Sequence, residues 1–243
     1  MFVEKKTMPT GAINMTMSTA QMYAMVDYFA PDRITGSGLL KALLLSPDRL
    51  DDREFMMQGY AELISDKVLE IRFDNTIGVH ALDADDPMTS LMGLTLGRII
   101  SEMSTYTELE VMLGRGIISM VIIESNDGYW ASLWKAKTGI GLIGGFSRSG
   151  KPQSVKLKIA PFINKANNNS QPLNISIKQQ ALDGSIIMST SMYGDSNVYH
   201  EIIPDNKMLT RNTEYNMKSY DGSEFIYNEN ALNSRIIDVL EVM

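Results

Sequence analysis

The spacing of apolar residues changes near residue 117, and this change most constrains how the chain can fold. Before it, apolar residues recur three and four positions apart, as they do on one face of a helix. After it, apolar runs are short and either rich in β-branched residues or alternate with polar residues, as in strands. The 243-residue sequence therefore predicts an α+β fold, in which a helical N-terminal part packs with a mainly antiparallel β-sheet and a C-terminal helix.

Four helices are predicted in the first hundred residues. Ser18 is a suitable N-cap and Pro31 a stop for the first helix, while Asp51 and Asp52 place negative charge at the start of the third. Pro87 opens the fourth. Their apolar positions are Met22, Met25, Val26 and Phe29; Leu39, Leu40, Leu43 and Leu44; Phe55, Met56, Tyr60, Leu63 and Ile64; and Leu91, Leu96, Ile99, Ile100 and Met103.

The strand pattern divides the chain into two regions. Residues 1–115 form a mainly helical region with one hairpin, and residues 116–243 form a β-rich region with a C-terminal helix; the two can also be one continuous domain. The cleanest alternation is that of Val155, Leu157 and Ile159 with two lysines. The hairpin covers 68–81, the further strands cover 117–123, 129–137, 155–159, 173–177, 185–192 and 197–203, and the last helix covers 231–243.

Charge is distributed unevenly along the chain. The 55 residues from Gly128 to Leu182 contain none of the 29 acidic residues but eight of the 22 basic ones, so the rest of the chain has 14 bases against 29 acids. A concentrated positive segment on an otherwise acidic protein indicates a polyanionic partner. The structural alternative is a solvated lysine face that protects the sheet against edge pairing.

Strand parity predicts that these cations share one surface. If Val155, Leu157 and Ile159 face the core, the lysines between them point to the other side. In residues 129–137 the lysines and the tryptophans have opposite parity, so the two tryptophans point inward if the lysine side faces solvent. The glycine-rich residues 144–152 would form a mobile link between two strands beside this surface. Single-stranded nucleic acids are held by cations along the phosphates and aromatic rings against the bases. The predicted nucleic-acid-binding residues are Tyr129, Lys135, Lys137, Phe146, Arg148, Lys151, Lys156, Lys158, Phe162, Lys165 and Lys178.

Motifs of catalytic or nucleotide sites are incomplete. Gly145 to Lys151 matches GxxxxGK, but Pro152 stands where a P-loop needs Ser or Thr, and a strand rather than a helix is expected to follow. The helices are expected to carry mixed or acidic charge, which argues against a duplex-reading helix. Cysteine is absent, and the two histidines, His80 and His200, lie far apart. We therefore predict a non-enzymatic protein without a cofactor or metal.

The acid-free basic stretch with aromatics, followed by an acidic C-terminal quarter, is similar to the charge layout of phage single-stranded DNA-binding proteins. Such proteins protect strands during replication or act as cofactors of phage RNA polymerases, and recruit partners through an acidic tail. The resemblance covers residues 128–243. The last residues here have the pattern of an amphipathic helix instead of a flexible tail, which favours an oligomer or protein-partner contact through that helix.

Two functions follow as expectations. The first is a non-catalytic protein of the host cytoplasm that binds single-stranded nucleic acid, DNA before RNA, in phage replication or transcription. The alternative is a viral structural or assembly protein whose basic and acidic surfaces pair between copies. No apolar stretch reaches the roughly 18 to 20 residues that cross a bilayer, so no membrane partner is expected.

Overall fold

The structure is a computed structural model that describes residues 5–7, 12–34, 37–80, 87–145, 150–168, 172–195, 198–203, 223–227 and 229–242. Within these ranges the chain forms six α-helices, two short 3-10 helices and twelve β-strands. The predicted α+β class is confirmed.

Most predicted elements are present with ends shifted by a few residues. The helices are α1 (Thr19–Phe29), α2 (Ser37–Ala42), α3 (Arg53–Ser65), α4 (Pro87–Glu102), α5 (Lys151–Asn168) and α6 (Glu229–Val242), and the 3-10 helices span Pro31–Arg33 and Pro47–Arg49. The strands are β1 (Lys5–Thr7), β2 (Ile13–Met17), β3 (Leu69–Ile71), β4 (Ile77–Val79), β5 (Thr105–Leu113), β6 (Gly116–Glu124), β7 (Trp130–Ala136), β8 (Gly139–Gly145), β9 (Leu173–Ala181), β10 (Ile186–Asp195), β11 (Val198–Ile203) and β12 (Ser223–Tyr227).

In the described ranges, ten strands form one sheet in the order β1-β2-β8-β7-β6-β5-β9-β10-β11-β12, and every neighbouring pair is antiparallel. β3 and β4 pair only with each other, as the predicted hairpin. Strands from both sides of residue 115 join the large sheet, because β2 pairs with β8 and β5 pairs with β6 and β9. Neither β2 nor β5 was among the predicted strands.

Each face of the sheet is covered by its own layer of helices. On the first face, α1, α2 and α4 pack against the sheet and α3 packs on α1, around a core that includes Met25 and Leu133. On the second face, α5 and α6 pack around a core that includes Ile159, Ile175 and Ile236. Neighbouring side chains on one strand therefore belong to different cores.

Polar contacts fix the helices of the first layer. Ser18 caps α1 as predicted: its Oγ accepts from the Gln21 backbone N–H at 3.0 Å, and the Gln21 side chain accepts from the Ser18 N–H at 2.9 Å. The Ser18 hydroxyl also donates to Glu62 of α3 at 2.5 Å. At the other end of the layer, Arg33 donates to the carbonyl oxygens of Ile100 (3.0 Å) and Ser101 (2.6 Å), which satisfies the last turn of α4.

The prediction of a strand over 155–159 is wrong, because these residues belong to α5. Val155, Ile159 and Ile163 are buried and lie four residues apart, which is the spacing of one helix face. Positions four apart share a side in a strand as well, so five residues of alternation could not separate the two structures. Pro152 lies in the first helical turn, where its missing N–H has no intrahelical partner to lose.

Candidate nucleic-acid interface

A cleft of about 1020 Å³ lies on the first face of the sheet. Most of its lining comes from three segments that are distant in sequence: α2 with the following 3-10 helix, the turn between β7 and β8, and the turn between β9 and β10. Single residues or pairs of α1, α3 and β5 complete it. The strand pairing puts these two turns at opposite ends of the sheet, and the cleft reaches from one to the other across the first face. The volume is at the upper end of the roughly 300 to 1000 Å³ usual for small-ligand pockets, so the cleft can hold a segment of a larger molecule.

An unusual helix end shapes the first wall. Leu44 follows α2 with a φ of 60°, in the left-handed region that favours glycine. The Leu45 N–H donates to the Leu40 carbonyl at 2.8 Å and the Leu44 N–H to the Lys41 carbonyl at 3.0 Å, which is the Schellman arrangement. This sharp turn places both leucines on the cleft, together with Ser46, Pro47 and Arg49.

Four cations line the cleft: Lys41, Arg49, Lys135 and Lys137. Among the lining residues that the structure describes, Asp183 is the only acid. It remains ionised at neutral pH, since hydrogen bonds from the Ser185 side chain and backbone lower its pKa. The cleft thus carries an excess of positive charge at its surface.

The four cations differ in how they are held. Lys41 donates to Glu108 at 2.9 Å and Arg49 to Asp52 at 2.7 Å, so each has a carboxylate beside it. Burial lowers the pKa of Lys41, but the hydrogen bond and charge of Glu108 outweigh it and leave the pKa raised. Lys135 and Lys137 are exposed, and within the described ranges neither makes a hydrogen bond or ion pair. These two lysines are available to an external anion.

The aromatic rings of the cleft lie under the cations. Lys41 Nζ is 5.8 Å from the ring centre of Tyr106, and the Arg49 guanidinium is 5.2 Å from that of Phe55. Tyr23 is buried, and its hydroxyl accepts from the Ser46 N–H at 3.0 Å. Burial raises the pKa of both tyrosines, so they are neutral at physiological pH. The cleft therefore offers ammonium and guanidinium groups to a ligand, with the rings as their support.

The remaining predicted site residues do not share this surface. Lys151 is buried and donates to Glu124 at 2.7 Å, and Lys158 stacks on Trp134 with its Nζ 3.8 Å from the ring centre. Both contacts lie between α5 and the second face of the sheet. The prediction of one continuous lysine surface is therefore wrong, because residues 151–168 form a helix on the second face instead of a strand of the sheet.

Other predicted positions are separated in the same way. Lys178 faces the first side of the sheet but is the direct cross-strand neighbour of Glu108. Tyr129 lies under Arg98, whose guanidinium is 5.5 Å from the ring centre. Phe162 and Lys165 line a smaller pocket at the end of α5, and Lys156 is half-buried on that helix. Phe146 and Arg148 lie outside the described residues.

The tryptophan prediction is confirmed in part. Trp130 is fully buried and Trp134 half-buried on the second face, opposite the side of Lys135. Gly141 and Gly145 of β8 lie beneath these two rings, where a Cβ would collide with Trp134 or press on Trp130. Neither indole is available as a stacking platform.

The structural context of the GxxxxGK match differs from the prediction. β8 ends at Gly145 and α5 begins at Lys151, so a helix does follow the motif and the expectation of a strand is wrong. Pro152 still lacks the hydroxyl that would reach magnesium, and Lys151, whose ammonium would reach phosphates in a P-loop, is held by Glu124. The sheet is also antiparallel, unlike that of P-loop proteins.

Sequence analysis missed Lys41 and Arg49. Both lie in segments of mixed charge, and no spacing relates them to Lys135 and Lys137. Their convergence depends on the pairing of β7 with β8 and on the packing of α2 against the sheet, which only the folded chain shows.

No protein-family model matches this chain, and no curated protein shows significant sequence similarity to it. Among the helices that the structure describes, none combines the length and the apolar character needed to cross a bilayer.

Proposed function

We propose that this protein binds single-stranded nucleic acid without catalysing a reaction, and that the cleft on the first face holds the phosphates. The observation that carries the proposal is the pair Lys135 and Lys137, which stand exposed on one turn at the cleft without an ion-pair partner in the described ranges. Lys41 and Arg49 add positive charge on the opposite wall. The site differs from the sheet surface expected from the sequence, while the class of ligand is the same.

The basic side chains of the cleft favour recognition of phosphates over recognition of bases. Lysine presents a compact charge that attracts a phosphate from any direction, whereas base readout needs exposed stacking rings or paired donors and acceptors. The rings of the cleft lie beneath cations or inside the core. We therefore expect binding with little sequence preference.

A single strand fits these features better than a duplex. α5 is a basic helix, contrary to the expectation of mixed or acidic helices, since it contains four lysines and no acid. Two of these lysines, Lys151 and Lys158, are held against the second face by Glu124 and Trp134. The helix thus lacks the row of outward basic side chains with which recognition helices enter the major groove.

Charge reversal of the free lysines tests the proposal. The double variant Lys135→Glu, Lys137→Glu should weaken binding of labelled single-stranded DNA at least tenfold in fluorescence anisotropy at low salt. For single strands the logarithm of affinity falls by roughly 0.7 per contacted phosphate per decade of salt, so the variant should also lose about 1.4 of that slope. The matched control is Arg72→Glu, Lys156→Glu, which changes the net charge equally at positions that do not line the cleft.

The same titration with RNA and with duplex DNA decides the ligand class. We expect the single strands to bind more tightly than the duplex at both salt concentrations. Equal loss of affinity in the cleft variant and in the control would show that only net charge matters. Undiminished binding in the cleft variant would refute the site.

A second candidate, an assembly protein, is favoured by a different observation. Phe73 at the tip of the β3–β4 hairpin is fully exposed, and the cross-strand pair Ile71 and Ile77 is 63% and 37% exposed. Exposed apolar groups clustered in this way are typical of contact surfaces. In this candidate function a second copy of the chain binds this apolar surface, instead of pairing through charge as the sequence suggested.

Light scattering with size-exclusion chromatography separates the two forms of self-association. Charge pairing weakens as salt rises, whereas apolar contact persists. Phe73→Ser should reduce the oligomer at both salt concentrations, and Ile117→Ser, which alters another isoleucine of 63% exposure, should not. A monomer at all concentrations and salts would exclude this candidate.

A further inference from the structure

A second, smaller pocket of about 250 Å³ lies at the opposite end of β5 from Tyr106. It is formed by the β5–β6 turn and the last turns of α5, and its lining residues are Leu113, Gly114, Arg115, Gly116, Phe162 and Lys165. None of the six is acidic. The pocket is below the roughly 300 Å³ at which small-ligand sites begin, so it has room for one compact group and not for an extended chain.

The turn presents Arg115 at the pocket. Leu113 and Gly116 are direct cross-strand partners, so Gly114 and Arg115 alone connect the two strands. Gly114 has a φ of 57°, which a two-residue hairpin turn requires and which glycine adopts without steric cost. Arg115 is exposed, and within the described ranges it makes no hydrogen bond or ion pair. Its guanidinium is thus a free planar donor, a shape that matches phosphate oxygens.

The other wall supplies a second cation and a ring. Lys165 is exposed in the last turns of α5, where it also offsets the partial negative charge of the helix C-terminus. Phe162 packs against the core of the second face but remains partly accessible and lines the pocket. In contrast to the cleft, where the rings are covered by cations of the protein, this ring has no such cover in the described contacts.

We propose that this pocket is a separate binding site for a 5′-phosphorylated nucleoside, with the phosphate between Arg115 and Lys165 and the base against Phe162. Two donors for an anion beside one accessible aromatic ring provide the two interactions that such a ligand needs, and the volume limits the site to one unit. The site does not depend on the cleft, because it shares no residue with it and lies on the other side of the sheet.

The probe for the test is thymidine 5′-monophosphate, with thymidine and inorganic phosphate as the two halves of the ligand. In NMR titrations of the full chain, the nucleotide should shift the Arg115 side-chain N–H and Phe162 ring signals in a saturable manner. It should bind more tightly than either half. Equal affinity for thymidine, or for inorganic phosphate, would overturn the assignment to a nucleotide.

Two variants locate the site. Arg115→Ala, Lys165→Ala should weaken nucleotide binding at least tenfold, and Phe162→Leu, which keeps the apolar packing, should weaken it several-fold. Lys135→Ala, Lys137→Ala in the cleft should leave it unchanged, and equal loss in that variant would refute a separate site. Because the probe is a single nucleotide, the result stands whether or not the cleft binds a nucleic-acid strand.

The source of the ligand is a strand end or a free nucleotide, which share this chemistry. A short single-stranded oligonucleotide with a 5′-phosphate should displace the mononucleotide more effectively than the same oligonucleotide without it. Equal displacement by both would show that the terminal phosphate is not recognised and would overturn the site as defined.

Discussion

The two faces of the sheet treat the lysines of one acid-free segment in opposite ways. On the second face, Lys151 is paired with Glu124 and Lys158 lies on Trp134, so both charges are used to attach α5. On the first face, Lys135 and Lys137 are exposed at a cleft with no partner in the described ranges. A cluster of basic residues in the sequence therefore does not establish a basic surface, because the secondary structure decides which of the charges reach solvent.

The largest effect is expected from the buried lysine. Lys151→Ala removes the ammonium group that donates to Glu124. Losing one member of a buried pair costs about 3 to 5 kcal/mol, with the lower end expected because Glu124 retains some exposure and another interaction. Urea unfolding measures the loss. Lys135→Ala on the first face should change the unfolding free energy by less than about 0.5 kcal/mol. Comparable losses of unfolding free energy in the two variants would contradict the proposed difference between the faces.

Two glycines of β8 test whether the two faces also differ in packing. An alanine Cβ at Gly141 would collide with the Trp134 ring on the second face, and one at Gly144 would meet the flexible end of Met92 on the first. Overpacking of a rigid ring costs about 1 to 3 kcal/mol, so Gly141→Ala should destabilise the protein more than Gly144→Ala. Thermal unfolding of both variants tests the order, and a reversed order would contradict it.

A smaller effect is expected at the stacked lysine. Lys158→Met removes the charge above Trp134 but keeps an unbranched apolar side chain, and a cation–π contact is worth about 0.5 to 2 kcal/mol. The variant should be less stable by about 1 kcal/mol and should shift the emission of Trp134. A Trp134→Phe background serves as the control, in which the shift must disappear.

The smallest effect concerns pH and the helical layer of the first face. Burial raises the pKa of Glu62, but the hydrogen bonds from Ser18 and Gln58 outweigh it, so the net pKa is lowered. Its stabilising contribution is present above the unfolded pKa and is lost as the pH falls through the folded one. Glu62→Gln should reduce this acid-dependent loss by less than about 1 kcal/mol, because the group is partly solvated. If the wild type and Glu62→Gln lost the same unfolding free energy between pH 7 and pH 3.5, the contribution assigned to Glu62 would be refuted.

Sequence patterns predicted elements better than surfaces. Ser18, Asp52 and the apolar spacings gave α1 and α3 because caps and helix faces are local features. β5 could have been predicted, since Thr107, Leu109 and Val111 alternate with glutamates. α5 could not be separated from a strand over 155–159, because its buried positions Val155, Ile159 and Ile163 would lie on one side of either structure.

The candidate site was less predictable than the fold. Lys135 and Lys137 were predicted because they lie in the acid-free segment, but their neighbours Lys41 and Arg49 come from another part of the chain. Long-range packing creates that proximity, and no local pattern encodes it. The ion pair of Lys151 could not be predicted either, because its partner Glu124 lies 27 residues earlier in the chain.

β5 contributes one residue to each of the two sites. Tyr106 lies in the cleft and Leu113 in the small pocket, and seven residues of extended backbone measure about 24 Å. The strand is hydrogen-bonded on both sides, so this distance cannot shorten. The two sites also lie on opposite faces of the sheet, so an oligonucleotide must pass around an end of the sheet to reach both. A shorter oligonucleotide will occupy one site at a time, and a longer one gains from tethering, so affinity should rise in a step with chain length.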